Sequence, residues 1–323
     1  SGKTDRYRAV LFIIVALTFI LSFAGNITEL RGSTALTGED VVSGDTPFCH
    51  LVIPMIIIPA AFTKTIIFPG SMLGAYGIAS MLVLWLGSSL ALGRGWCSWA
   101  CFYGGLDEAC SRMARKPLIK KIDRRFIHTP WAVLLGVVLI SAVTLSPVYC
   151  EWLCPFKAVT ESAAVTTTTA IIQTIIFVAL FLGLVVVLPI LTKKRSQCSL
   201  FCPFGAMQSL TNKVNPYEVR INTETCSGCG KCVRDCPTYS LDENSLKSGH
   251  TRLSCTKCGK CVDACPKGAI TYHIKGTRVG AHPTAARLLF LFPAYLMLFV
   301  FGSGFISDAV YRIVKLITTG SLV

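Results

Sequence analysis

The sequence predicts a polytopic α-helical membrane protein of about five spans plus a broken or re-entrant segment, with one small cysteine-rich α+β domain inserted before the last span. Three observations predict this class. Hydrophobic residues make up 52% of the 323 residues and charged residues 15%, against about 25% charged in an ordinary soluble domain. Apolar runs of near-spanning length recur along the chain, and about 20 such residues cross a bilayer as a helix. Sixteen cysteines fall mostly in tight groups, at gaps of two and three residues, which is metal-ligand spacing rather than a secreted disulfide scaffold. The formal net charge of +14 does not point to nucleic acid. Its Lys and Arg sit in the loops between apolar runs, as the cytoplasmic flanks of membrane helices do.

The first run, Ala9 to Ala24, follows Lys3, Arg6 and Arg8. No small-residue cleavage site closes it, so a retained helix is expected rather than a signal peptide. Asn26 to Phe48 carries Glu29, Glu39, Asp40 and Asp45 against Arg31, which predicts an outside loop. Leu51 to Phe68 is apolar but broken by Pro54, Pro59, Lys64 and then Pro69. It reads as a re-entrant segment, tolerable where protein shields its free backbone groups. Ser71 to Leu92 is a conventional span. The loop Gly93 to Pro130 holds eight Lys/Arg against three acids and is expected in the cytoplasm. Trp131 to Val148 then crosses outward, and Ala170 to Leu191 returns to Lys193, Lys194 and Arg195. Arg287 to Phe305 is the last span, and Ser307 to Val323 a short tail with an interfacial face. The expected domains are residues 1–214, the inserted domain 215–280, and 281–323. The inner, cytoplasmic membrane is the expected location.

The insert contains two runs of one pattern. Cys226-x2-Cys229-x2-Cys232-x3-Cys236-Pro237 is the first, and Cys255-x2-Cys258-x2-Cys261-x3-Cys265-Pro266 the second. Three closely spaced thiolates hold three irons of a cubane, and the fourth cysteine of each run reaches the other cluster. One [4Fe–4S] cluster therefore takes Cys226, Cys229, Cys232 and Cys265, and the other Cys255, Cys258, Cys261 and Cys236. Gly228, Gly230 and Gly259 let backbone N–H groups approach the sulfurs. Two zinc knuckles are the competing reading, but zinc sites pair C-x2–4-C elements over a longer gap and need no fourth Cys-Pro. The insert thus resembles bacterial-type two-cluster ferredoxins over about 60 residues.

A second pattern recurs three times, at Cys97-x3-Cys101-Phe-Tyr-Gly, Cys150-x3-Cys154-Pro-Phe-Lys and Cys198-x3-Cys202-Pro-Phe-Gly. Pro155 and Pro203 suit the first turn of a helix, whose N–H groups would face a net-negative cluster. Buried structural cysteine would account for one such pair. Three copies with similar following residues argue for ligation. On the expected topology the first and third copies share the cytoplasmic side, so Cys97, Cys101, Cys198 and Cys202 make a third cluster site. Cys150 and Cys154 fall on the outer side with Cys49, where His50 or Cys110 could complete a further centre; Cys110 lies on the wrong side in that topology. One or two Fe–S clusters beyond the ferredoxin pair are expected. The spans contain no paired histidines for a b-type haem, and no phosphate-binding glycine loop is present.

With both patterns in view, the chain resembles the membrane polyferredoxins of the NapH/NosR type, from the first span through Lys275. Two features depart from that pattern: Phe102 stands where the other copies have proline, and an extra outer cysteine pair is present. The resemblance implies an electron-transfer subunit of a membrane oxidoreductase complex, carrying electrons between a cytoplasmic donor and an outer-side partner. NosR-type relatives carry an outer flavin-binding domain that these residues lack, so a flavin or cytochrome is expected on a separate subunit. Two alternatives are a quinol dehydrogenase feeding a periplasmic reductase, with Glu151, Glu161 and His50 as proton acceptors, and a redox assembly factor for an oxidase.

Overall fold

The computed structural model describes residues 3–29, 51, 53–63, 78–119, 122–160 and 167–320. Cys49, His50, Glu161 and most of the expected outside loop lie outside them. The helices are α1 (Thr4–Glu29), α2 (Ile53–Thr63), α3 (Ile78–Leu92), α4 (Phe102–Met113), α5 (Thr129–Thr144), α6 (Thr168–Thr192), α7 (Pro203–Val214), α8 (Lys231–Asp235), α9 (Glu243–Ser248), α10 (Lys260–Ala264) and α11 (Pro283–Thr319). The strands β1 (Tyr217–Ile221) and β2 (Ile270–Ile274) pair antiparallel, from Tyr217 opposite Ile274 to Ile221 opposite Ile270.

Three described stretches are long and apolar enough to cross a membrane: Arg125–Thr144, Thr168–Thr192 and Pro283–Thr319. The expected span Ser71–Leu92 is described only from Ile78. α2, with Pro59 inside it, is 11 residues long, about 16 Å at 1.5 Å per residue.

The largest departure from expectation is at the C-terminal end. No break follows Phe305; α11 runs for 37 residues, about 55 Å. Packing against α1 explains the continuation. Gly302 sits against Val15, Phe19 and Phe305 stack edge to face at 5.0 Å, and Ser22 Oγ donates to Asp308 Oδ2 at 2.5 Å. Asp308 also accepts from Arg312 Nε at 2.8 Å. These polar groups satisfy one another against α1.

α1 anchors the other end of the bundle through a buried ion network. Arg8 Nη2 donates to Asp5 at 2.8 Å and to Glu108 at 3.0 Å, while Arg112 bonds both acids. Burial pushes the Glu108 carboxyl up, but Arg8, Arg112 and Arg195 outweigh it and hold the group below the ordinary carboxylate range. We expect Glu108→Gln to destabilise the fold by about 3–5 kcal/mol, since it leaves buried cations uncompensated. Comparing thermal unfolding of the variant and the parent checks this.

Candidate iron–sulfur sites

The β1–β2 pair closes the ends of the cysteine-rich segment, and each half then supplies one loop and one short helix. Gly230 (φ 66°) and Gly259 (φ 84°) precede α8 and α10, in the left-handed region that favours glycine. One cavity is lined by Cys226, Cys229, Cys232 and Cys265. A second is lined by Cys236, Cys255, Cys258 and Cys261. Each cavity takes three cysteines from one run and the fourth from the other. Ser240 N donates to Cys236 Sγ at 3.3 Å, and the Lys231 N–H holds the Cys229 thiol below its ordinary value. Burial pushes the Cys258 thiol up to about 12. Such thiols favour ligation over free thiolate, because a metal replaces the proton that burial retains.

The second run has Lys257 where the first has Gly228, and Lys257 keeps a left-handed φ of 50°. This lysine is 2% exposed. Its Nζ donates to Leu92 O at 3.0 Å, Asn212 Oδ1 at 2.8 Å and Asn215 Oδ1 at 2.7 Å. Burial draws its ammonium down to about 7, yet three oxygen acceptors match the three N–H donors of the charged form. That geometry favours the ammonium.

The first and third C-x3-C copies meet by a reciprocal exchange. An arginine stands three residues before the leading cysteine in both, Arg94 before Cys97 and Arg195 before Cys198. Arg94 Nη2 donates to Cys198 O at 3.1 Å, and Arg195 Nη2 donates to Cys97 O at 2.5 Å. Each arginine also faces the thiol of its own copy: Arg195 Nη2 lies 3.4 Å from Cys198 Sγ, and Arg94 hydrogen-bonds the Cys97 side chain. Gly104 and Gly205 make room for this arrangement. A Cβ on Gly104 would collide with Cys97 O and Arg195 Nη2, and one on Gly205 would lie 2.9 Å from Cys198 O. α7 starts behind the third copy, with Gly205 N donating to Cys202 Sγ at 3.4 Å.

These contacts gather four thiols. Burial raises the Cys198 thiol, and Cys97 and Cys101 raise it further; Cys202 is pushed up to about 12 by burial and then by Cys97. Arg94 Nε is buried without a hydrogen bond among the described residues. An anionic thiolate-ligated cluster fits here, where two buried guanidinium groups would offset its charge. Among the described residues no three His, Cys, Asp or Glu side chains converge to hold a single metal ion.

The second copy, expected on the outer side with Cys49, packs differently from the other two. Leu145 (φ 52°) ends α5, and the Tyr149–Leu153 turn enters the common core. Tyr149 is fully buried, its hydroxyl accepts from Gln197 Nε2 at 3.2 Å, and Phe156 stacks on Tyr103 at 4.1 Å. Cys154 neighbours Cys202 closely enough to raise its thiol. The copy has Pro147 and Lys157 where the others have the arginine and the glycine, so it cannot join the exchange. Cys110, half-buried on α4, has Asp107 as its charged neighbour rather than a thiol. Glu151 accepts from Ser146 Oγ at 3.1 Å.

Sequence reasoning took Arg94 and Arg195 for membrane-flank charges; both are buried, at 3% and 0% exposure. The available signal was their matching position before two of the three copies.

Fold and site together define an iron–sulfur electron-transport protein with helices suited to a membrane. Residues 218–266 match a 4Fe-4S dicluster domain. Residues 73–121, 127–165 and 174–216 each match a 4Fe-4S binding domain, and each match contains one C-x3-C copy. The chain is 26% identical over 172 residues to YccM of Escherichia coli (strain K12), covering 49% of this chain and 45% of YccM. It is 27% identical over 203 residues to the methylamine utilization ferredoxin-type protein MauN of Paracoccus denitrificans (strain Pd 1222), covering 60% and 64%. MauN of Methylobacillus flagellatus is 26% identical over 185 residues, covering 57% and 60%. The chain thus spans between about half and under two thirds of the length of these relatives. No solved structure matches it.

Proposed function

We propose that the chain is a transmembrane electron relay in the cytoplasmic membrane, with about five spans and the ferredoxin segment facing the cytoplasm. Cys226, Cys229, Cys232 and Cys265 hold one [4Fe–4S] cluster, Cys236, Cys255, Cys258 and Cys261 a second, and Cys97, Cys101, Cys198 and Cys202 a third. Bound clusters would supply the one-electron carriers, and the protein supplies ligands, burial and charge. Cys150 and Cys154 take no cluster of their own in this reading. The partner on the outer side is a flavin or cytochrome subunit, in keeping with the resemblance to NapH/NosR-type proteins.

One observation carries the reading: the second ferredoxin loop is fastened to the Cys97 loop. Arg8 Nε donates to Cys258 O and its Nη1 to Ser98 O, both at 3.1 Å. Trp99 Nε1 donates to Lys257 O at 3.3 Å, and Asn212 Nδ2 to Cys255 O at 2.8 Å. Arg195 Nη1 then reaches Ser98 Oγ at 2.5 Å, beside the Cys198 thiol. A tethered ferredoxin with no onward transfer would have no use for a rigid bridge between two cysteine sets.

Sealed vesicles carrying the full chain and trapped ferricyanide test this, with dithionite added outside. Ferricyanide should bleach with the parent and not with Cys97→Ser or Cys198→Ser. Equal bleaching by parent and variants would sink the relay. In a related test, Arg94→Gln should lower the midpoint potential of the third cluster, since removing a cation disfavours the more negative reduced state. We expect a fall of about 60 mV, equivalent to about 1.4 kcal/mol for one electron, in an EPR-monitored titration.

A further inference from the structure

The two ferredoxin cavities present different faces to an approaching molecule. Cys236, Cys258 and Cys261 of the second are buried, and Arg8, Trp99 and Asn212 cover its loop. The first opens to solvent through Cys229, which is exposed along with Ser227, Gly228 and Pro266.

Three cations rim that opening. Lys231 and Lys267 are exposed and line the cavity. Arg234 is exposed and donates to Cys229 O at 3.3 Å. The side chains of Lys231 and Lys267 pair with no acid among the described residues. Asp235, half-buried beside Arg234, and Asp263, half-buried four residues before Lys267, are the acids nearest along the chain, and Glu224 is exposed two residues before Cys226. In the second run Lys260, the counterpart of Lys231, is half-buried near Lys194, Asp263 stands in place of Arg234, and Lys257, in place of Gly228, turns inward to bond α3 and α7. The positive rim belongs to the first cavity alone.

We propose that this rim is the docking face for the external electron carrier, a redox protein whose own exchanging edge is ringed by carboxylates. The inference rests on the relay reading above. One electron passes between carrier and chain, so one is oxidised as the other is reduced and no bond forms or breaks. Lys231, Arg234 and Lys267 steer the carrier onto Cys229, the ligand nearest solvent, and the contact weakens as salt screens it.

Stopped-flow oxidation of the reduced full chain in detergent tests the face, with ferricyanide as anionic probe and hexaamminecobalt(III) as cationic probe. EPR first verifies the ferredoxin clusters in every sample; their absence would refute the relay reading itself. With clusters present, the ferricyanide rate should fall as salt rises. In Lys231→Glu/Lys267→Glu it should drop roughly tenfold at low salt, the scale of electrostatic steering, while the cobalt rate rises. Lys213→Glu/Arg278→Glu, an equal charge change at exposed positions elsewhere, should alter both rates little. Equal effects from the two pairs, or no effect from either, would overturn the proposed face.

Discussion

Gly104→Ala is expected to remove the proposed third cluster and to spare the other two. The added Cβ would enter the space held by Cys97 O and Arg195 Nη2, and neither can yield cheaply. The carbonyl is backbone in a buried turn, and the guanidinium is fixed by Ser98 Oγ and Glu108 as well. The exchange that gathers the four thiols then opens. Iron should fall from about twelve to about eight per chain, four for each cubane lost, with the ferredoxin EPR signals retained. Gly136→Ala is the control, because a Cβ there meets nothing within 4 Å and should leave the iron count unchanged.

The second large effect is expected at Lys257. Lys257→Met keeps much of the length but removes the three hydrogen bonds to Leu92, Asn212 and Asn215. Buried acceptors left without donors cost about 1–3 kcal/mol each, so the ferredoxin segment should loosen from α3 and α7. Limited proteolysis should then cut the exposed 276–282 stretch faster, and transfer from the ferredoxin clusters to the third should slow. Lys257→Gly relieves the left-handed backbone by about 1 kcal/mol but also loses the bonds, so it should loosen the joint less than Met does. If both variants keep parental proteolysis rates, Lys257 is not the joint.

The parts of the site that could be read from the sequence are those set by local spacing. The C-x2-C-x2-C-x3-C-P runs name four cysteines apiece because a cubane corner fixes the gap along the chain. The crossing of Cys236 and Cys265 follows from the same rule. Pairing of the first and third C-x3-C copies was legible only through the expected topology, whereas its physical basis is the swap of Arg94 and Arg195. Both arginines mark span ends in sequence, and nothing local distinguishes a flank charge from a buried one. The packing of the second copy against Gln197 and Cys202 was not legible, because a run of apolar residues does not reveal where a chain turns back. Leu145 in a left-handed conformation and Tyr149 bonded to Gln197 are long-range consequences of packing. Lys257 was missed for a related reason: glycine is the expected residue at that φ, and a lysine there makes sense only beside Asn212 and Asn215. The length of α11 was hidden by Asp308 and Arg312, which look like solvent residues until Ser22 is beside them.

The central claim is that the membrane-side cysteines hold a cluster in addition to the ferredoxin pair. Iron and acid-labile sulfide, counted per chain on the intact protein purified anaerobically in detergent, test it most directly. The account predicts about twelve of each, falling to about eight in Cys97→Ser/Cys198→Ser. A parent value near eight, unchanged in that variant, would contradict it and leave the arginine exchange as structure alone.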